Sequence, residues 1–229
     1  MNFFELKNGT SVEGAEIKAY KHDFKGPKHL YLMAGVHGDE VEGVYILKEL
    51  FGWLRATDEA AHIPLIVIPV LNIDGYRASS RTNSHGVDLN RNLPSANWTS
   101  EARDKKYNPG TTPLSEPENL YLVKLFDKYP PHLVISFHSW IPMLNWNGKN
   151  CQKYADYLTK YNSYPVVADI DGHPTPGSLG EFGPQKYNTS VLTFEAPQIS
   201  ETKGLKEIWE ENQTGLKALL SSKLVQSME

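Results

Sequence analysis

The chain has 229 residues, of which 40% are hydrophobic, 11% aromatic and 22% charged, a composition that supports a globular core. Its 23 Lys and Arg against 27 Asp and Glu leave a formal net charge of −4, so no basic field exists to hold a nucleic-acid backbone or an anionic membrane surface. The one cysteine, Cys151, excludes an internal disulfide framework and fits a reducing compartment.

Near the start, Glu5 and Lys7 interrupt Phe3, Phe4 and Leu6, so no apolar signal segment forms. The longest apolar run, residues 63–71, contains two prolines and falls far short of the roughly 20 residues that cross a bilayer. A cytoplasmic protein without a membrane partner is the expectation. Residues 12–20 alternate as an edge hairpin would. Residues 29–35 (HLYLMAG), 64–71 (PLIVIPVL) and 132–138 (HLVISFH) are almost continuously aliphatic, as expected of strands covered on both faces. Between the first two, residues 41–55 place Val44, Leu47, Phe51 and Leu54 three or four apart, which predicts a helix. A second helix is predicted over 117–129, opening with Pro117, and a third over 150–161. Strands at 166–170 and 190–195 and an amphipathic helix over 205–224 complete the list, while 72–115 and 171–189 are irregular and dense in Gly, Pro, Asn and Ser. The alternation predicts an α/β fold, one domain over residues 1–229, with helices on both faces of a mostly parallel sheet. In such sheets ligands sit at the carboxyl ends of strands, so side chains just past the apolar runs are the first candidates for chemistry.

After the first run comes HGDE, in which His37 and Glu40 are three apart at a helix start, a spacing that lets an imidazole and a carboxylate face one ion. A lone HxxE is a weak signal that reads more readily as a polar helix N-terminus. His138 closes the third run, and two histidines with one carboxylate and an open fourth position are the catalytic zinc pattern. By itself it also reads as a satisfied core histidine. Glu195 ends the last predicted strand, where a carboxylate faces solvent or a site and would serve there as a general base. Arg81 and Arg91 flank a turn in the irregular stretch, and guanidinium suits gripping a carboxylate or an oxyanion.

In order, HGDE at 37–40, NIDGY at 72–76, RTN at 81–83, GVDLNRN at 86–92, FHSW at 137–140 and TFEAP at 193–197 resemble the zinc metallocarboxypeptidase family. The resemblance implies a mixed, mostly parallel sheet of about eight strands and one Zn²⁺ per chain held by His37, Glu40 and His138. It implies Asp88 behind a zinc-bound histidine, Glu195 as general base and acid, and Arg81 polarising the scissile carbonyl. Asn90 and Arg91 would bind the free C-terminal carboxylate of a small peptide substrate. The short chain and the TPGSLG segment at 175–180 resemble a bacterial branch that cleaves the γ-D-glutamyl to meso-diaminopimelate bond of small murein peptides in cell-wall recycling. The alternatives are a carboxypeptidase on other peptides and an acyl amino-acid hydrolase of the aspartoacylase and succinylglutamate desuccinylase group. One departure stands out: no tyrosine lies between Tyr164 and Tyr187, where the family's digestive members carry one on a mobile loop, and His173 is the stand-in offered there. For a diaminopimelate pocket, Asp171, Glu181 and Lys186 are the candidates from the same loop.

Overall fold

The structure is a computed structural model, and it describes residues 1–170 and 172–226. Its strands and helices run in the order β1 (Phe3–Glu5), β2 (Gly9–Thr10), β3 (Glu16–Ile17), β4 (Tyr20–His22), β5 (His29–Ala34), α1 (Val41–Ala56), β6 (Leu65–Ile68) and α2 (Ile73–Ala78). They continue through α3 (Pro117–Lys128), β7 (Pro131–Trp140), β8 (Met143–Asn147), α4 (Gln152–Leu158), β9 (Val166–Val167), α5 (Leu179–Tyr187), β10 (Ser190–Pro197), α6 (Leu205–Ser221) and α7 (Lys223–Gln226). Eight strands form one mixed sheet in the order β1-β4-β6-β5-β7-β10-β8-β9, and β2 and β3 form a separate two-stranded ribbon.

The centre of the sheet is parallel, with β6, β5, β7 and β10 side by side, and antiparallel strands flank it through β4 and β8. Those four central strands carry the apolar runs because helices cover both of their faces. Along β5 the pleat divides the side chains: Leu30, Leu32 and Ala34 face a core shared with α1, α4 and α6, whereas Tyr31 and Met33 face one shared with α3 and α5. Helix α6 supplies Ile208, Leu216, Leu219 and Leu220 to the first core, so the long C-terminal segment closes one face of the sheet. No helix among the described residues is long and apolar enough to cross a membrane.

Four expectations are corrected, the first being that 72–115, expected to be irregular, opens with the short helix α2. The hairpin expected over 12–20 is split: β2 and β3 pair with each other, while the sheet edge is made by β1 and β4. The strand expected over 166–170 keeps only Val166 and Val167. The stretch 171–189, read as irregular, contains α5, whose Gly180, Gly183 and Pro184 disguise the helix. Its start is held by Ser178, whose Oγ accepts the Glu181 N–H at 3.2 Å. Strand β8 was not foreseen at all.

Candidate active site

Three neighbouring parallel strands, β5, β7 and β10, end on the same side of the sheet, and the chemistry-bearing side chains follow from that. Beyond β5, Gly35 adopts φ +63° and turns the chain through His37 into α1. Glu40 occupies the N-cap of α1 yet makes no capping bond, because its carboxylate is turned toward two histidines. His138 lies near the end of β7, and the parallel register sets it directly beside Glu195 of β10. Gly38 meets the backbone of Gly75, where any Cβ would overlap, so the HGDE and NIDG turns lock together only through their glycines.

The three ligand-type groups converge. His37 Nδ1 lies 2.7 Å from Glu40 Oε1, His138 Nδ1 lies 2.7 Å from Glu40 Oε2, and the two Nδ1 atoms are 3.2 Å apart. All three residues are buried, and their ligand atoms fall within 4.8 Å of one another. Donors of this kind around one point match a zinc ion bonded at about 2.0–2.2 Å, with a position left open. The remaining ring nitrogens are anchored, His37 Nε2 on Asp88 Oδ1 at 3.2 Å and His138 Nε2 on Ser136 Oγ at 2.9 Å, so both rings present Nδ1 to the centre. Burial opposes ionisation of Glu40 and Asp88, but His37 and His138 hold the Glu40 carboxyl well below the usual range, and His37 with Arg81 does the same for Asp88.

Glu195 is 9% exposed, and its Oε2 is a buried oxygen with no hydrogen-bond partner among the described residues. An orphaned carboxylate oxygen beside a three-ligand cluster is what a site shaped for an ion and its substrate leaves behind, so the residues present fit zinc. Burial, reinforced by Glu40 and opposed by His138 and Arg81, pushes the Glu195 carboxyl up to about 7. A carboxyl whose pKa rises on folding contributes stability that is present below its unfolded value, 4.5, and lost as pH climbs through the folded value. Metal-free Glu195→Gln protein should therefore exceed metal-free wild type by roughly 1–3 kcal/mol at pH 8 and converge with it near pH 4.5. Urea titrations in chelator at both pH values check this; a gap independent of pH would mean that Glu195 ionises normally.

The loop 86–92 builds the next layer. Asp88 is fully buried and accepts Arg81 Nη2 at 2.9 Å, Arg81 Nε at 3.1 Å and the Asn90 N–H at 2.8 Å. Arg81 thus spends two donors on Asp88 and keeps Nη1 for the cavity, with only a 3.4 Å approach to Glu40. Asn72 holds the strand of chain bearing Arg81 from below: it caps α2 through the Gly75 N–H and donates to the Arg81 carbonyl at 3.3 Å. Asn90 Oδ1 accepts the Leu179 N–H at 2.9 Å, which turns its amide NH₂ toward the space beside Arg91. Gly177, at φ +73°, packs against the Arg91 carbonyl where a Cβ would overlap, seating α5 on that loop.

His37, Glu40, Arg81, Asn90, Arg91 and Glu195 all line one cavity of about 350 Å³, with Asp88 behind His37 and His138 beneath. His173 lines it too, edge-on to Trp140 at 5.0 Å and accepting Arg103 Nη2 at 2.9 Å. Glu181 and Lys186 are not in its lining, and Asp171 falls outside the described residues. Reading the sequence missed the cavity's Arg103, Tyr107, Asn145 and Asn147, which carry no motif, and buried Glu42. Glu42 accepts Ser139 Oγ at 2.5 Å and the Ile199 N–H at 2.7 Å, tying the ends of β7 and β10 to α1; an acid in the first turn of a largely buried helix was its signal.

The zinc carboxypeptidase family model matches residues 3–215. Murein peptide amidase A of Escherichia coli K12 is 32% identical over 203 residues, covering 84% of this chain and 81% of that protein. The crystal structure of a murein-tripeptide amidase from Escherichia coli O157 superposes with a TM-score of 0.73 at 26% identity, over 97% of this chain and 92% of that one. Carboxypeptidase A from Helicoverpa armigera shares the fold at a TM-score of 0.78 and 17% identity, over 97% of this chain and 69% of the other.

Proposed function

The chain belongs to the zinc carboxypeptidase family, and from that premise we propose that it is a hydrolase releasing meso-diaminopimelate from γ-D-glutamyl murein peptides in the cytoplasm. The observation that carries this substrate is the far wall of the cavity. Where β8 and β10 pair, that wall presents Asn145, Asn147 and Thr193, all neutral and polar, within a lining that also includes Asp39, Trp140 and Ile170. A carboxylate there would select a terminal Lys or Arg, and an apolar wall would select an aromatic or aliphatic residue; neutral amides suit a side chain ending in both an ammonium and a carboxylate. Asn145 donates both amide hydrogens to the Val167 and Ala168 carbonyls at 3.0 Å, so its own oxygen is an acceptor aimed away from them. Similarity to murein peptide amidase A supports the same reading.

In this reading His37, Glu40 and His138 hold one Zn²⁺, which supplies Lewis-acid activation of water and of the scissile carbonyl. Asp88 and Ser136 keep the two imidazoles oriented. Asn90 and Arg91 take the substrate's free carboxylate, which fixes the register of the chain and restricts cleavage to the last residue. Arg81 Nη1 donates toward the carbonyl oxygen as negative charge develops on it. Glu195, with a pKa near neutrality, removes the proton from the attacking water and passes it to the departing amine.

The test is release of the terminal residue by zinc-quantified protein from L-Ala-γ-D-Glu-meso-diaminopimelate, from the same peptide ending in L-Lys, and from N-acyl amino acids. Diaminopimelate release at least tenfold faster than Lys release is expected. Turnover confined to the acyl amino acids would transfer the chain to the acyl-hydrolase reading.

A further inference from the structure

One wall of the cavity carries more positive charge than the mechanism uses. Tyr107, in a one-turn helix at Lys105–Tyr107, has four cations around its ring: Arg103 at 4.4 Å, Lys106 at 5.1 Å, Arg81 at 5.2 Å and Arg91 at 5.3 Å from the centroid. Arg81 is neutralised by Asp88 and Glu40, and Arg91 is assigned to the terminal carboxylate. Arg103 and Lys106 remain. Neither pairs with a carboxylate among the described residues; Arg103 donates instead to the Gly172 carbonyl at 3.0 Å and to His173 Nδ1 at 2.9 Å. Those two bonds tie the guanidinium to the segment carrying His173, which lines the cavity together with Arg103 and Lys106. The crowding is felt chemically: burial, with Arg81 and Arg103 nearby, lowers the pKa of Arg91, and although partial burial raises that of the Tyr107 hydroxyl, Arg103 and Lys106 together outweigh it and leave it lowered.

Two like charges side by side, with no carboxylate paired to either among the described residues, are favoured by an anion that completes them. We infer that Arg103 and Lys106, arrayed on the Tyr107 ring, form a seat for a second substrate carboxylate, distinct from the terminal one held at Asn90 and Arg91. The inference rests on the functional reading above, because the proposed tripeptide has two further carboxylates: the α-carboxylate of its γ-linked D-Glu and the distal carboxylate of diaminopimelate. An ordinary α-linked dipeptide with a neutral side chain has neither. The seat therefore selects dianionic substrates at the mouth, while the neutral amides select inside.

The experiment crosses four peptides with two proteins. The peptides are the tripeptide, its analogue with the D-Glu α-carboxylate as a carboxamide, and the same pair ending in L-Lys, which is diaminopimelate without its distal carboxylate. The proteins are wild type and the Arg103→Gln, Lys106→Gln double variant, both substitutions at exposed positions, one before and one within the one-turn helix. Wild type should lose roughly tenfold in kcat/KM on removal of the seated carboxylate, mainly in KM, and the loss should shrink as salt rises. The variant should show the tenfold deficit on the complete tripeptide and no further loss when that carboxylate is removed. A carboxamide-sensitive result places the seat on the acyl side, and a Lys-sensitive one places it on the leaving side. A variant that loses the same factor on all four peptides, or none, overturns the seat while leaving the function standing. No release from any peptide by zinc-loaded wild type overturns the function and the seat with it.

Discussion

Glu195→Gln should bind zinc with wild-type stoichiometry and turn over substrate roughly 10³-fold more slowly, with KM little changed. Glutamine keeps the shape of the side chain at the end of β10 and keeps it out of the ligand set, since His37, Glu40 and His138 converge without it. What disappears is a group able to accept and return a proton near neutral pH. The effect falls on kcat because the carboxylate acts while the proton is moving and touches none of the groups assigned to bind the free carboxylate. A fall in zinc content would instead make Glu195 a ligand, and kcat within tenfold of wild type would remove it from the proton transfers. Titration of the wild-type rate gives the companion result: as the base form is required, kcat/KM should rise with pH through an acid limb that Glu195→Gln lacks.

Legibility of the fold followed burial. Strands β5, β6, β7 and β10 are covered on both faces, and continuous apolar runs mark them plainly. Strand β8, with sequence MLNWN, has two asparagines because one side of it lines the cavity, and those polar residues erase the strand signal. Helix α5 was hidden by Pro184 and two glycines, which are tolerated because Gly183 packs against Val191 and Gly180 against Asn147, each too close for a larger residue. In both cases the residues that defeat the local pattern are the ones the site requires.

Legibility of the site followed motif density. His37, Glu40, Asp88, Asn90, Arg91, His138 and Glu195 lie at strand ends or in one compact turn, where side chain and backbone role are coupled, and their strings are recognisable. Asp88 illustrates the coupling: one carboxylate orients His37, holds Arg81 and caps the turn carrying Asn90. Arg103 and Lys106 belong to a surface segment whose backbone asks nothing of them. Their meaning comes only from Tyr107 and from the cavity they face, both of which need coordinates.

The graded response of the metal to its surroundings is the sharpest test of the ligand set. His138→Ala should leave a protein that purifies with almost no zinc and has no measurable peptidase activity, since one of the three proposed protein donors is gone. Ser136→Ala should be milder. Its hydroxyl touches only the far nitrogen of His138, so its loss frees the ring to rotate and should weaken zinc binding by roughly 10-fold, the lower end for an outer partner. Competition with a chromophoric chelator measures both constants, and chelator-treated wild type supplies the metal-free reference. His138→Ala must also contend with Glu40, which loses one of the two imidazoles that keep it ionised in a buried place. Metal-free His138→Ala should therefore unfold at lower urea than metal-free wild type above the ordinary Glu40 value of 4.5, with the difference shrinking as pH falls below it and Glu40 takes up a proton in both proteins. If His138→Ala bound zinc as tightly as Ser136→Ala, His138 would be an outer residue, and the third donor would have to be sought at Glu195.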